Sequence, residues 1–160
     1  MDRNADAIPE LDTHDRAILT LLQRDGRMPN AQMAESVGLS PSACLRRVQR
    51  LEHDGVISRY VALLDPARIG RTTTVFVEVT LDSQREEALA AFEKAAAACG
   101  DVLECHLMAG DFDYLLRVAP NGPQGYERLH KQELSRLPHV VRIRSSFALR
   151  TVVRRTDYAV

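Results

Sequence analysis

Apolar positions along this chain follow two different periods. Up to about residue 55 they recur at helical spacing, and from residue 75 onward they alternate with polar positions in short runs separated by further helical stretches. Asp12 and Asp15 stand at N-cap and N3 spacing ahead of the stripe Ala17, Ile18, Leu19, Leu21 and Leu22, which predicts a first helix ending near Asp25-Gly26. From Asn30 to Gly55 the chain reads as two short helices joined by a tight turn. Asn30 is expected to N-cap the first and Gly38 to supply the left-handed position that ends it, while Ser40 caps the second with Pro41 at N1. The run Val56 to Leu64 reads as a strand, broken by Asp65-Pro66.

After residue 71 the period is two. Val75, Val77, Val79 and Leu81 predict a strand, and a helix follows from Gln84 to Cys99, closed by Gly100. Leu103, Cys105 and Leu107 mark a second strand and Phe112, Tyr114, Leu116 and Val118 a third, joined at Gly110-Asp111. Tyr126, Leu129, Leu134 and Leu137 mark a helix stopping before Pro138, and Val141, Ile143, Ser145, Phe147 and Leu149 the last strand. The expected class is α+β: an N-terminal winged helix-turn-helix with a reduced wing over residues 1–65, a linker at 66–71, and a C-terminal ferredoxin-like βαββαβ sandwich over 72–160. A sheet with helices on one face leaves the other to be covered, and another subunit is the economical cover.

The helix after Ser40 carries the first candidate chemistry. At about 100° per residue Leu45, Val48 and Leu51 share one stripe, expected to be buried, while Ser42, Arg46, Gln49, Arg50 and His53 share the opposite face with Arg47 on the flank. Arginine forks suit guanine edges and phosphates, glutamine suits adenine, and a first-turn serine suits phosphate at a helix N-terminus. A solvated arginine face is the competing reading of that helix alone; the helix–glycine–helix geometry favours a DNA reader. Asn30, Ser40, Ser42, Ala43, Arg46, Arg47, Gln49 and Arg50 are the candidate residues facing double-stranded DNA.

Composition narrows this picture. With 160 residues, 45% hydrophobic and 27% charged, the chain is long enough for one domain or two small ones. Its formal net charge is −1, and residues 1–65 hold 8 Arg against 10 Asp plus Glu, which excludes a globally basic DNA-binding module. The basic footprint is focused instead on Arg46, Arg47, Arg50 and Arg59, downstream of the acidic cluster Asp2, Asp6, Glu10, Asp12 and Asp15. The polar, acidic start is neither a signal nor a transit peptide, and no segment approaches a membrane span, so a cytoplasmic protein without a membrane partner is expected. Cys44, Cys99 and Cys105 match neither a disulfide framework nor a zinc site and read as small core residues in a reducing compartment. Cys105-His106 is no catalytic pair, because adjacent strand residues point to opposite faces. The run Arg142, Arg144, Arg150, Arg154 and Arg155 suits either wrapped DNA and a partner subunit or a solvated face. No catalytic residues, metal or cofactor are expected.

Leu11-Asp12-x-x-Asp15-x-x-Ile18-Leu19, Asp25-Gly26-Arg27, Val37-Gly38-Leu39-Ser40-Pro41-Ser42, Arg47-Val48-x-Arg50-Leu51-Glu52 and Ala62-Leu63-Leu64-Asp65-Pro66 together resemble the Lrp/AsnC family of transcriptional regulators. The likeness continues through Val75-Phe76-Val77-Glu78-Val79, Glu104-Cys105-His106-Leu107 and Gly110 to Leu116, and leans toward the leucine-responsive subgroup. It implies an N-terminal DNA reader and a C-terminal domain that binds an amino-acid effector, leucine or another. It also implies a homo-oligomer, a dimer that assembles into an octamer as a tetramer of dimers, with the effector at an interface between dimers. Carried over by motif, Leu107, Met108, Gly110, Asp111, Asp113 and Tyr114, with Ser146, Phe147 and Ala148 on the last strand, are the effector-site candidates. The chain departs from the leucine-responsive pattern at Ser146 to Ala148, where that subgroup carries a tyrosine followed by valines, so the effector's identity is left open.

The residues themselves support a polar-ligand site at the hairpin. Gly110 allows close backbone approach, and the carboxylates of Asp111 and Asp113 suit an ammonium group; the same Gly-Asp pair also suits a simple hairpin corner. The alternative function is a ferredoxin-like amino-acid-sensing or enzymatic domain with a helical protein-interaction module. Against it, the alternating half shows no paired acid and base, metal cluster or phosphate loop.

Overall fold

The computed structural model describes residues 9–160, so Asp2 and Asp6 of the acidic cluster lie outside the described residues. The chain forms two compact units: one up to Leu63 together with Val153–Val160, the other Leu64–Val152. The segment read as a linker thus belongs to the second unit, and the last eight residues to the first. The tail is tied there by Gln23, whose amide donates to the Tyr158 carbonyl (3.1 Å) and accepts from the Tyr158 N–H (2.6 Å).

In the first unit α1 (Thr13–Arg24), α2 (Asn30–Ser36) and α3 (Pro41–His53) enclose a core of Ile18, Leu19, Met33, Ala34, Cys44 and Leu51. The capping box is present at α1, with Asp12 and Asp15 each accepting from the other's backbone N–H. Ser40 caps α3 by accepting from Ala43 N, and Gly38 sits at φ 68°, the left-handed conformation that lets the chain leave α2 sharply. Two expectations change. Pro29, not Asn30, occupies the N-cap of α2; Asn30 is its first helical residue and its amide donates instead to the Pro41 carbonyl (2.8 Å), joining the starts of α2 and α3. The wing is absent as a strand. Residues 56–64 find no ladder partner, and the segment folds back through Ile57 N to Leu51 O (3.0 Å) and Tyr60 Oη to Glu52 (2.9 Å). A strand needs a second chain segment beside it, which apolar composition alone cannot supply.

The second unit is βαββαβ: β1 (Val75–Leu81), α4 (Glu86–Ala98), β2 (Val102–Leu107), β3 (Tyr114–Val118), α5 (Gly122–Gln132) with a 3₁₀ turn (Leu134–Arg136), and β4 (Val140–Phe147). The sheet is antiparallel in the order β2-β3-β1-β4. Val75, Val77 and Val79 stand opposite Val118, Leu116 and Tyr114, and this face packs on Phe92 and Ala96 of α4 and Tyr126 and Leu129 of α5. Phe92 and Tyr114 stack with ring centroids 4.4 Å apart. Both helices therefore cover one face. The other presents Phe76, Glu78 and Thr80 with Arg142, Arg144 and Ser146.

Several boundaries shift for local reasons. The helix read as Gln84–Cys99 ends when Cys99 turns extended, and Gly100 has no positive φ. The helix read as reaching Leu137 breaks at Glu133 into the 3₁₀ turn. A bulge between Thr80 and Leu81 brings Val140 rather than Val141 into register, and Leu149 lies beyond the strand, fully exposed. Cys44 and Cys99 are buried, whereas Cys105 is exposed because β2 is the sheet's edge strand and is poorly covered.

Candidate DNA-reading helix and effector region

On α3 Leu51 of the expected stripe is buried together with Cys44, and Val48 packs against the same core, whereas Leu45 is 45% exposed. The flank of α3 is ion-paired to the start of α1. Arg47 Nη1 donates to Asp12 Oδ2 (2.6 Å) and Asp15 Oδ1 (2.9 Å), and Arg50 Nη2 donates to Asp15 Oδ2 (2.5 Å). Asp15 is only 1% exposed. Its own backbone N–H, and then Arg47, hold the Asp12 carboxyl down to about 2. Two of the arginines expected to face DNA are thus ion-paired at the start of α1, Arg47 half-buried and Arg50 still 48% exposed. Ser42, Arg46 and Gln49 are exposed, and among the described residues Arg46 makes no ion pair. Ser40 is used as the cap, Ala43 is half-buried, and Asn30 Oδ1 is buried without a partner. Leu45 joins the exposed face, a position that sequence periodicity assigned to the core.

The effector candidates are divided by the sheet. Leu107, Met108, Gly110 and Asp111 are exposed at the β2–β3 hairpin, with Gly110 at φ 153°. Asp113 is buried and both its oxygens are occupied: Oδ2 accepts from Leu81 N (2.7 Å) and Oδ1 from Gln84 Nε2 (2.7 Å). Its backbone also bonds, N–H to Val79 O (2.9 Å) and carbonyl to Met108 N (2.8 Å). This carboxylate closes the hairpin onto β1, with each oxygen already accepting one hydrogen bond and the side chain buried away from the hairpin surface. Tyr114 is a core residue whose hydroxyl donates to Glu93 (2.8 Å); burial first, and that carboxylate second, push its phenol up.

Ser146, Phe147 and Ala148 sit at the opposite end of the sheet. Tyr114 pairs with Val79, whereas Phe147 pairs with Val75. That register separates them by roughly 13 Å along the strands, and β2 and β4 lie three spacings apart, roughly 14 Å across. Phe147 packs edge-on to Tyr126 (5.1 Å), and Ala148 N donates to Thr74 O (3.0 Å). One protomer does not assemble the hairpin and the strand end into a single pocket.

A cleft of about 400 Å³, which no sequence feature announced, opens in the same unit beside Gly70, Arg71, Asp101, Asn121, Arg128 and Glu133. Arg71 donates to Asp101 and to the Ala119 carbonyl (3.0 Å) there. Cys99 Sγ donates to Glu133 (2.6 Å), and burial together with that carboxylate raises the thiol to about 11. None of the hairpin or strand-end candidates lines it. Among the described residues there is no group of His, Cys, Asp and Glu that would hold a metal ion, and no helix long and apolar enough to cross a membrane.

A capped helix-turn-helix with an exposed polar reading face, joined in one chain to a separate βαββαβ unit, defines a helix-turn-helix transcriptional regulator with a ligand-binding domain. Residues 11–52 match the AsnC-type helix-turn-helix domain and residues 74–158 the Lrp/AsnC ligand binding domain. The chain belongs to the Lrp/AsnC family. It is 44% identical to the leucine-responsive regulatory protein of Escherichia coli over 82% of this chain and 80% of that protein. It is 49% identical to an uncharacterised helix-turn-helix regulator of Sinorhizobium fredii over 73% of this chain and 92% of that protein. Among solved structures, it resembles an AsnC-family regulator from Agrobacterium tumefaciens (TM-score 0.88, 37% identity, 92% of this chain and 96% of that one). It also resembles a Neisseria meningitidis regulator in complex with L-methionine (TM-score 0.87, 32% identity, 92% and 95%).

Proposed function

We propose that this protein regulates transcription from the cytoplasm, without catalysis, by presenting α3 to the major groove and by changing its assembly when an amino acid binds. The observation that carries the DNA half is the exposed face of Ser42, Leu45, Arg46 and Gln49 on a helix whose other arginines are ion-paired to Asp12 and Asp15. Arg46 suits guanine or phosphate, Gln49 suits adenine, and Leu45 suits a thymine methyl. A single reader with so few cations binds weakly, so paired readers on a symmetric homo-oligomer supply the affinity.

Two surfaces suit a second copy. The open sheet face carries Phe76, and the run Tyr60, Val61, Leu63 and Leu64 is exposed and apolar. A dimer built this way, extended to an octamer, brings the hairpin of one copy (Leu107, Met108, Gly110, Asp111) toward the strand end of another (Ser146, Phe147, Ala148). The effector then binds at an interface between copies. Leucine and methionine are the first amino acids to try, given the relatives' names. The functional division follows the sequence reading, with DNA reading in residues 1–65 and effector binding with self-association in 72–160.

A thermal-shift screen of the twenty amino acids followed by size measurement tests this reading. One of them is expected to raise Tm by mass action and to change the sedimentation of the full chain. Absence of any shift at millimolar amino acid contradicts the effector half.

A further inference from the structure

Placing two carboxylates beside a DNA-reading helix opposes binding, since each repels the phosphate backbone. The geometry gives them a use that offsets this. Asp15, buried and 1% exposed, accepts from Arg47 and Arg50, while Asp12 accepts from Arg47 as well. Arg47 and Arg50 are one turn apart on α3, so both are drawn to the same flank and α3 cannot roll against α1 without breaking the ion pairs. Both carboxylates are additionally fixed by the reciprocal capping box at the start of α1. The carboxylate side of the clamp is therefore preorganised.

We propose that Asp12 and Asp15 are positioning residues for DNA recognition. They withdraw Arg47 from the DNA, hold Arg50 against α1, and so leave Ser42, Leu45, Arg46 and Gln49 as the reading face. Free arginines strengthen binding to any sequence, because phosphate contacts carry no base information. Withdrawing Arg47, whose side chain is 24% exposed, and tethering Arg50, which stays 48% exposed, lowers non-specific affinity and raises the ratio of specific to non-specific binding, a gain in specificity by removing contacts. This inference rests on the proposed DNA-reading role.

The test uses the full chain on a duplex selected by the wild-type protein from a randomised pool, and on a scrambled duplex, in fluorescence anisotropy titrations across a KCl series. Failure of the wild-type protein to enrich any duplex overturns the DNA-reading role itself. Given enrichment, R46A is expected to lose about tenfold or more on the selected duplex, with a salt slope shallower by about 0.9 per lost phosphate contact. R47A is expected to keep the wild-type slope. D15N is expected to tighten binding to the scrambled duplex several-fold with a steeper slope, reducing the specificity ratio; E10Q, an exposed change of the same charge, controls for net charge. Equal slope losses in R46A and R47A overturn the proposal, as does a folded D15N indistinguishable from E10Q. Should circular dichroism find D15N unfolded, the comparison of R46A with R47A decides.

Discussion

Asp113 takes hydrogen bonds from the Leu81 N–H and the Gln84 amide while its own backbone bonds to β1 and to Met108. Its side chain is thereby a fastener between the β2–β3 hairpin and the end of β1. Asp113→Ala leaves the buried Leu81 N–H without its acceptor, which costs about 1–3 kcal/mol. In urea unfolding, the midpoint is expected to fall with the m-value unchanged; an unaltered midpoint contradicts the fastening role. Asp111, exposed at the same hairpin, carries no such bonds and is the carboxylate with room for a ligand. The sequence presents Asp111 and Asp113 as equivalent acids near a glycine. Their difference comes from the register of β1 against β3, a long-range pairing that local spacing does not encode.

At the scale of elements, the readable features are those written locally. The capping box of α1, the Ser40–Pro41 start of α3 and the left-handed Gly38 are all side-chain or backbone chemistry within a few residues, and each appears as the sequence indicates. So do β1 and β3, whose period-two valines and leucines match a half-covered sheet. What the sequence hides depends on partners far along the chain. Leu45, about 100° round α3 from the buried Cys44, is left exposed at the edge of the stripe, the β1–β4 bulge displaces Val141, and the run after Gly55 lacks a neighbour to make it a strand. The Ser40 cap offers an element-level test. Ser40→Ala removes the acceptor of the Ala43 N–H at the start of α3 and is expected to destabilise the first unit by about 1 kcal/mol. The same denaturant titration that reads Asp113→Ala reads this loss, and a change below a few tenths of a kcal/mol contradicts the cap's contribution.

For the whole molecule, family membership and fold agree on a regulator with a helix-turn-helix and a ligand-binding domain. With a formal charge of −1 the chain has no general basic attraction for DNA, so in the proposed function affinity rests on a few residues of α3 used repeatedly by several copies. The proposed effector site points the same way, because hairpin and strand end lie at opposite ends of one sheet and, in the proposed assembly, meet between copies. The proposed function therefore places control in assembly: an amino acid that prefers one association state alters the number of readers held on DNA. The direct test is an anisotropy titration of a selected duplex with the full chain, with and without each amino acid. Control by assembly predicts saturable, salt-sensitive binding whose midpoint moves about fivefold or more with at least one amino acid. Binding that does not distinguish the selected from a scrambled duplex, or that no amino acid changes, contradicts it.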